Sequence, residues 1–260
     1  MTGRALVTGA SGGIGLEITR LLAADGYDLF LVARDGGKLE MLCAELGSSC
    51  DVKAEYLALD LSDPSAADEL VKTCPDVDVL VNNAGFGDYG PFSECDWSKQ
   101  ERMINLNDLT LAKLTRTYLP GMISKKSGRI LNVASVAAFQ PGPLMSVYYA
   151  SKAFVLSFTE SLAEELRGTG VTVTALCPGP VNTGFSAAAN AGDVSLFKES
   201  SGADAKAVAA YGYRSMMKGK VVAVHGLLFK AGLFFERILP RCAVRRILHG
   251  IQGKRTGGSP

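Results

Sequence analysis

The chain has no uninterrupted apolar run of the roughly 18 or more residues that a membrane-spanning helix needs. Its start, Met1-Thr2-Gly3-Arg4, leads straight into a strand pattern without an apolar leader, which predicts a cytoplasmic protein. Cys-x-x-Cys pairs and His-rich clusters are missing too. The six cysteines (Cys43, Cys50, Cys74, Cys95, Cys177, Cys242) are scattered, so no metal site is expected and they read as reduced packing residues. No fixed-period repeat or low-complexity block appears, apart from a Thr256–Pro260 end expected to fray. What is present is an ordinary globular balance: 260 residues, 47% hydrophobic and 20% charged, enough for one large core in one domain. No nucleic-acid partner is expected at a net charge of +1, but that value conceals an asymmetry. Residues 1–204 carry 16 Lys+Arg against 25 Asp+Glu, and residues 205–260 carry 11 against 1.

Ala5-Leu6-Val7 reads as a strand buried on both faces, and it feeds Thr8-Gly9-Ala10-Ser11-Gly12-Gly13-Ile14-Gly15. A helix should follow with Ile14, Ile18, Leu21 and Leu22 on its apolar face and Gly26 closing it. Glycines between a buried strand and a helix let backbone N–H groups approach a pyrophosphate, although such a turn can also be plain punctuation. The second strand, Asp28 to Ala33, is followed by Arg34 near the offset where a dinucleotide site reads the adenosine ribose. An acid there repels a 2′-phosphate, whereas arginine pairs with it, so the residues favour NADP. A solvated arginine beside Asp35 is the bland alternative. Tyr56 to Leu59 forms a third strand and delivers Asp60, which could accept from adenine or simply cap a helix opened by Asp63-Pro64. The fourth strand, Val77 to Val81, runs into Asn82-Asn83-Ala84-Gly85, whose amides should brace neighbouring strand ends.

A long helix from about Asp96 to Leu119 carries Asn107 and should stop at Pro120. The fifth strand, Arg129 to Ala134, ends in Ser135, and Phe139 to Met145 reads as a loop walling a pocket. Tyr148 and Lys152 then stand at i and i+4, which on a helix lets a phenol and an ammonium share a site. A nearby cation favours phenolate, so the pairing predicts a lowered phenol pKa and a tuned acid, against the alternative of a core tyrosine and a surface lysine. After this helix ends at Gly168, Val171 to Leu176 forms a sixth strand. Alternating strands and helices predict an α/β fold with a doubly wound parallel sheet and helices on both faces.

Taken in order, the glycine loop, Asp60, Asn82-Asn83-Ala84-Gly85, Asn107, Ser135, Tyr148-x-x-x-Lys152 and Pro178-Gly179-Pro180-Val181-Asn182-Thr183 closely resemble the short-chain dehydrogenases/reductases, over residues 1 to about 185. The resemblance implies a Rossmann-type sheet and hydride exchange between a nicotinamide cofactor and a carbonyl. It implies that Gly9, Ser11, Gly13, Ile14 and Gly15 line the cofactor phosphates and ribose, with Arg34 on the 2′-phosphate, Asp60 on adenine and Asn83 on the adjoining ribose. Tyr148 and Lys152 would also meet the nicotinamide ribose, and Val181 and Thr183 the carboxamide. The implied catalytic set is Asn107, Ser135, Tyr148 and Lys152. Asn107 is preferred to Asn105 because the family places a proline thirteen residues later, here Pro120. NADPH-dependent reduction of an apolar, lipid-like ketone or aldehyde is the expected activity. A cofactor-binding sensor or scaffold without turnover is the other reading, disfavoured by the retained Ser, Tyr and Lys.

The helix bearing Lys152 carries Phe154, Phe158 and Leu162 as well, and family members commonly pair this helix between subunits, so a homodimer or homotetramer is expected. Residues 1–225 are read as the catalytic domain and 226–260 as its basic, apolar C-terminal extension. After a small-residue loop, Ser186 to Ser201, the expected elements are a helix over Ala203–Met217 and a last strand over Val221–Val224. Gly226 to Leu239 is nearly all apolar, and Pro240 opens a helix with Ala243, Val244, Ile247, Leu248 and Ile251 on one face. This tail is expected to form a lid, a dimer contact or a peripheral contact with an anionic membrane.

Overall fold

The structure, a computed structural model, describes residues 3–185, 189, 202–236 and 238–253. The loop expected over 186–201 lies outside these residues except for Ala189, as does the Thr256–Pro260 end. Among the described residues, seven strands form one parallel sheet: β1 (Arg4–Thr8), β2 (Asp28–Ala33), β3 (Ala54–Ala58), β4 (Val79–Asn82), β5 (Gly128–Val133), β6 (Val171–Cys177) and β7 (Val222–Val224). Their spatial order is β3-β2-β1-β4-β5-β6-β7, so the winding reverses between β1 and β4. That reversal opens a crevice at the carboxyl ends of these two strands.

Among the described residues the helices are α1 (Gly13–Ala24), α2 (Gly36–Cys50), α3 (Ala66–Thr73), α4 (Trp97–Ile104), α5 (Leu111–Lys125), α6 (Ser146–Glu165), α7 (Ala205–Met217), α8 (Leu227–Glu236) and α9 (Arg241–Gln252). Apolar runs in the strands split by alternation between two helical layers. Ala5 and Val7 of β1 pack with Ile18, Leu39, Val208 and Met216 from α1, α2 and α7. Leu6 between them packs with Leu70, Leu114 and Met122 from α3 and α5. A sheet covered on both faces requires this pattern, and each fully buried leucine contributes roughly 1.5–3 kcal/mol.

Several details differ from the sequence expectations. The long central helix is not uniform: a π-helical turn, Asn105–Thr110, separates α4 from α5. Pro120 does not stop α5, which continues to Lys125. Both Pro120 and Arg116, whose carbonyl loses its partner, lie on the exposed face where water can serve it, while fully buried Met122 anchors the turn beyond. Pro64 is not the first residue of α3 either; it sits in the turn before Ser65, whose N–H donates to Asp63 at 2.8 Å. The helix α2 had no counterpart in the sequence reading. Its N-cap is Asp35, which accepts from the Lys38 N–H at 3.1 Å.

Buried amides join the layers. Asn82 donates to Thr115 Oγ1 at 3.1 Å and to Asn132 Oδ1 at 2.9 Å, and Asn132 donates to Thr159 Oγ1 at 3.0 Å, so β4 and β5 are pinned to α5 and α6. The six cysteines are free thiols, and Cys242 is exposed, so the packing reading fails there.

Candidate active site

The glycine loop after β1 is held in a shape that side chains would not permit. Gly9 and Gly13 have φ of +67° and +54°, in the left-handed region that favours glycine. A Cβ on Gly15 would collide with the Gly9 carbonyl and the Asn83 amide, whereas one on Gly12 would meet nothing within 4 Å. The helix α1 has no side-chain cap, so its first turn presents N–H groups towards the open space over Gly12. Ser11 and Ile14, which flank Gly12-Gly13 in sequence, are half-buried. An uncapped helix start beneath an open glycine cradle fits the pyrophosphate of a dinucleotide.

The neighbouring strand ends build the rest of the crevice. Asn83 donates through its amide to the Thr8 and Gly9 carbonyls at 3.0 and 3.1 Å, which braces the loop from β4. Arg34 is exposed at the end of β2. Asp60, beyond β3, accepts from Ser62 N–H and hydroxyl at 3.0 and 2.7 Å and from Arg102 at 2.7 Å. Burial pushes its pKa up, but the Ser62 hydrogen bonds and then the charges of Arg102 and Arg34 outweigh that and hold the carboxyl low. The turn after β6 reaches the same place: Val181 bridges to Ala203, and a Cβ on Gly13 would come within 2.8 Å of the Thr183 methyl.

On the other side of the crevice, Asn107, Ser135, Tyr148 and Lys152 are brought together by α6, the π turn and the end of β5. Lys152 is buried and donates to the Val133 carbonyl at 2.8 Å. Asn107, 1% exposed, donates to the Phe86 carbonyl and to Ser151 Oγ at 3.0 Å each, and accepts from Phe86 N–H at 3.2 Å. Its neighbour Asn105 caps the end of α4 and is only half-buried. A Cβ on Gly85 would stand 2.9 Å from Asn107 Oδ1 and 3.4 Å from Lys152 Nζ, so that missing side chain leaves the two polar groups facing one space. Ser135 extends beyond β5, where its hydroxyl accepts from Ala137 N–H at 3.1 Å and meets the Tyr148 phenol.

The electrostatics correct one expectation. Burial raises the Tyr148 pKa, and the Ser135 hydrogen bond offsets this only in part. The Lys152 ammonium lies 5.9 Å from the Tyr148 ring centre and bonds to a carbonyl rather than to the phenol oxygen. The phenol is therefore held protonated, not turned towards phenolate. Burial also pulls Lys152 down to about 8, while Asp108 and then Cys177 work to raise it. Asp108, on the π turn beside Asn107, is pushed up to about 6 by burial, against the pull of Lys152.

An apolar wall closes the site. Tyr148 packs with Tyr89, Met103, Met145 and Tyr149, and the Phe185 ring centre lies 5.2 Å from that of Tyr148. The Phe139–Met145 loop supplies part of this wall with buried Met145 rather than with exposed side chains, and the Tyr149 ring lies flat on Gly142. The tail reaches in from above. Gln252 of α9, fully buried, donates to Tyr149 Oη at 2.6 Å, and the Tyr89 hydroxyl donates to the Gln252 carbonyl at 2.8 Å. These contacts rotate α9 away from the predicted face: Val244, Leu248 and Gln252 are buried, while Ile247 and Ile251 are 51% and 41% exposed. Sequence reasoning passed over Gln252, Tyr149, Tyr89 and Asp108. A glutamine at i+4 from Leu248 and i+8 from Val244 was the available signal for the first.

The chain matches the short chain dehydrogenase family over residues 4–193. It is 36% identical over 187 residues to a ketoacyl reductase, HetN, of Nostoc, covering 70% of this chain and 65% of the relative. It is 40% identical over 177 residues to a very-long-chain 3-oxoacyl-CoA reductase of Phaeosphaeria nodorum, covering 65% and 52%. The chain thus spans about half to two thirds of the length of these relatives. Among solved structures, a short-chain dehydrogenase from Sphingobium yanoikuyae in complex with NADPH is similar at a TM-score of 0.82 and 30% identity, over 99% of this chain and 98% of that one. One from Burkholderia phymatum in complex with NAD gives 0.79 and 26%, over 91% and 94%. With the matched segment running from β1 past Thr183, through the glycine loop and the Ser-Tyr-Lys cluster, this chain belongs to the short-chain dehydrogenase family.

Proposed function

We propose that the protein is an NADP(H)-dependent oxidoreductase that reduces a ketone or aldehyde of an apolar, lipid-like substrate to the alcohol. The observation that carries this reading is the convergence of Asn107, Ser135, Tyr148 and Lys152 beside an open glycine cradle, under a wall of Tyr89, Met145, Tyr149 and Phe185. NADPH, when bound, supplies the hydride. Gly9, Ser11, Gly13, Ile14, Gly15 and Asn83 would hold its phosphates and ribose, Arg34 its 2′-phosphate, Asp60 its adenine side, and Val181 and Thr183 its carboxamide. Support for the 2′-phosphate role comes from Asp35: its carboxylate caps α2 and pairs with Lys38 at 3.2 Å rather than with Arg34.

Ser135 orients the carbonyl oxygen by donating its hydroxyl proton as a hydrogen bond. Tyr148, kept protonated by burial, gives its phenol proton to that same oxygen as the carbon is reduced. Lys152 places a positive charge beneath the phenolate that remains, and Asn107 faces the space next to Lys152 Nζ through which a proton can be returned. The ketoacyl and very-long-chain 3-oxoacyl groups in the names of two relatives are chemically consistent with the apolar wall. A homodimer or homotetramer is part of the same reading.

Tyr148→Phe removes the transferable proton alone. NADPH binding, followed by quenching or transfer of its fluorescence, should survive while turnover with a responsive carbonyl falls by about 10²-fold or more. Near-normal turnover would sink the assignment, and cofactor binding by the unaltered protein without consumption of NADPH across a carbonyl panel would leave a sensor.

A further inference from the structure

The helix α8 is apolar on both its inner and its outer side. At about 100° per residue, Phe229, Leu233 and Glu236 fall on one face and Leu227, Leu228, Ala231, Phe234 and Phe235 on the other. The first face looks inward, with Phe229 against Gly179 just beyond β6. The second is bare: Leu227 and Leu228 are 82% and 83% exposed, and Phe234 and Phe235 64% each. Just beyond the helix Ile238 and Leu239 are also exposed, as are Ile247 and Ile251 on α9. A surface helix ordinarily turns its polar side to water, so a contiguous apolar face of this kind marks a contact.

Charge decides which contact. Residues 226–260 hold seven Lys+Arg and one acid, and Arg241, Arg245 and Arg246 are exposed on α9. A second copy meeting the same surface would set two strongly basic segments side by side, which like-charge repulsion opposes. An anionic lipid surface complements both halves of the pattern, acyl chains for the leucines and phenylalanines, headgroups for the arginines. Ten residues of helix make about 15 Å, half the roughly 30 Å of a bilayer core, so α8 must lie in the interface rather than cross it.

We propose that α8 and α9 form a docking surface for anionic membrane, with Leu227, Leu228, Phe234 and Phe235 inserted among the acyl chains and the α9 arginines at the headgroups. The inner sides of these helices touch Gly179, Tyr149 and Tyr89, so the docked surface lies one side chain away from the candidate site. A lipid-like substrate would then enter from the bilayer; this last step alone rests on the proposed reductase function.

The test uses the full chain with phosphatidylcholine vesicles, with and without phosphatidylserine. The protein should sediment with the phosphatidylserine vesicles and be released by salt, with weak binding to phosphatidylcholine alone. Combining Leu227→Ser, Leu228→Ser, Phe234→Ser and Phe235→Ser should leave it in the supernatant, and because these side chains are exposed the melting curve and NADPH binding should be unchanged. Arg241→Gln, Arg245→Gln and Arg246→Gln together should weaken sedimentation by about 10²-fold, each cation being worth about fivefold. Failure to sediment with anionic vesicles, or sedimentation of the serine variant like the unaltered protein, overturns the proposal. So does a lower oligomeric mass of the serine variant in the absence of lipid, since the face would then belong to a second copy. None of these outcomes depends on turnover, so the reductase reading stands or falls separately.

Discussion

Lys152 is the residue where burial and charge oppose each other most directly, since burial draws its ammonium down to about 8 while Asp108 props it up. If the ammonium form is needed beneath the Tyr148 phenolate, activity falls as pH rises through the Lys152 pKa. Asp108→Asn removes the carboxylate that favours the ammonium, so that pKa drops and the basic limb of the pH–rate profile moves towards lower pH. Profiles that superimpose would show that the Asp108 charge is not felt at the site. Arg34 carries a second prediction. Arg34→Ala removes a partner that only a 2′-phosphate needs, so NADPH should weaken by about tenfold or more, in the range of one charge-assisted hydrogen bond, and NADH far less. Titrations with both cofactors decide it, and equal losses would make Arg34 structural.

Among the elements, α9 is one whose attachment hangs on few contacts. Its inner face offers Val244, Leu248 and Gln252, and the Gln252 amide serves a Tyr149 hydroxyl whose pKa burial raises to about 12. Gln252→Leu keeps the volume but strands that hydroxyl without its donor, a cost of about 1–3 kcal/mol. For a chain of this size that lowers Tm by roughly 2–10 °C, and protease cleavage between α8 and α9 should quicken. An unchanged melt and cleavage rate would mean that the contact is not made in solution. The π turn is the other element out of pattern. By slipping the helical register at Asn105–Thr110 it lets Asn107 turn inward while α4 and α5 keep their own buried faces.

At the scale of the whole molecule, α6 faces both the site and solvent. Phe154 is 40% exposed and stacks on Phe158 with ring centres 5.7 Å apart, while Phe158 and Leu162 are partly taken up by the chain's own core. The exposed ring supports pairing of this helix with a second subunit. Light scattering at micromolar concentration should give a dimer or tetramer mass, reduced by Phe154→Ser, and a monomer mass for the unaltered chain would count against it.

The strands, their order along the chain and the glycine loop were legible because apolar alternation and turn chemistry are local properties, written within a few residues of one another. Each strand was placed within two residues of its observed span. The apolar character of Gly226–Leu239 was legible for the same reason, but not the face it would present. Local rules failed where neighbours distant in sequence decide: Pro120 passes because its turn faces water, and Tyr148 stays protonated because folding buries it and points the Lys152 ammonium at Val133. Gln252 escaped notice because its partners lie 103 and 163 residues away, so tertiary packing alone turns that side of α9 inward and leaves the apolar side of α8 outward.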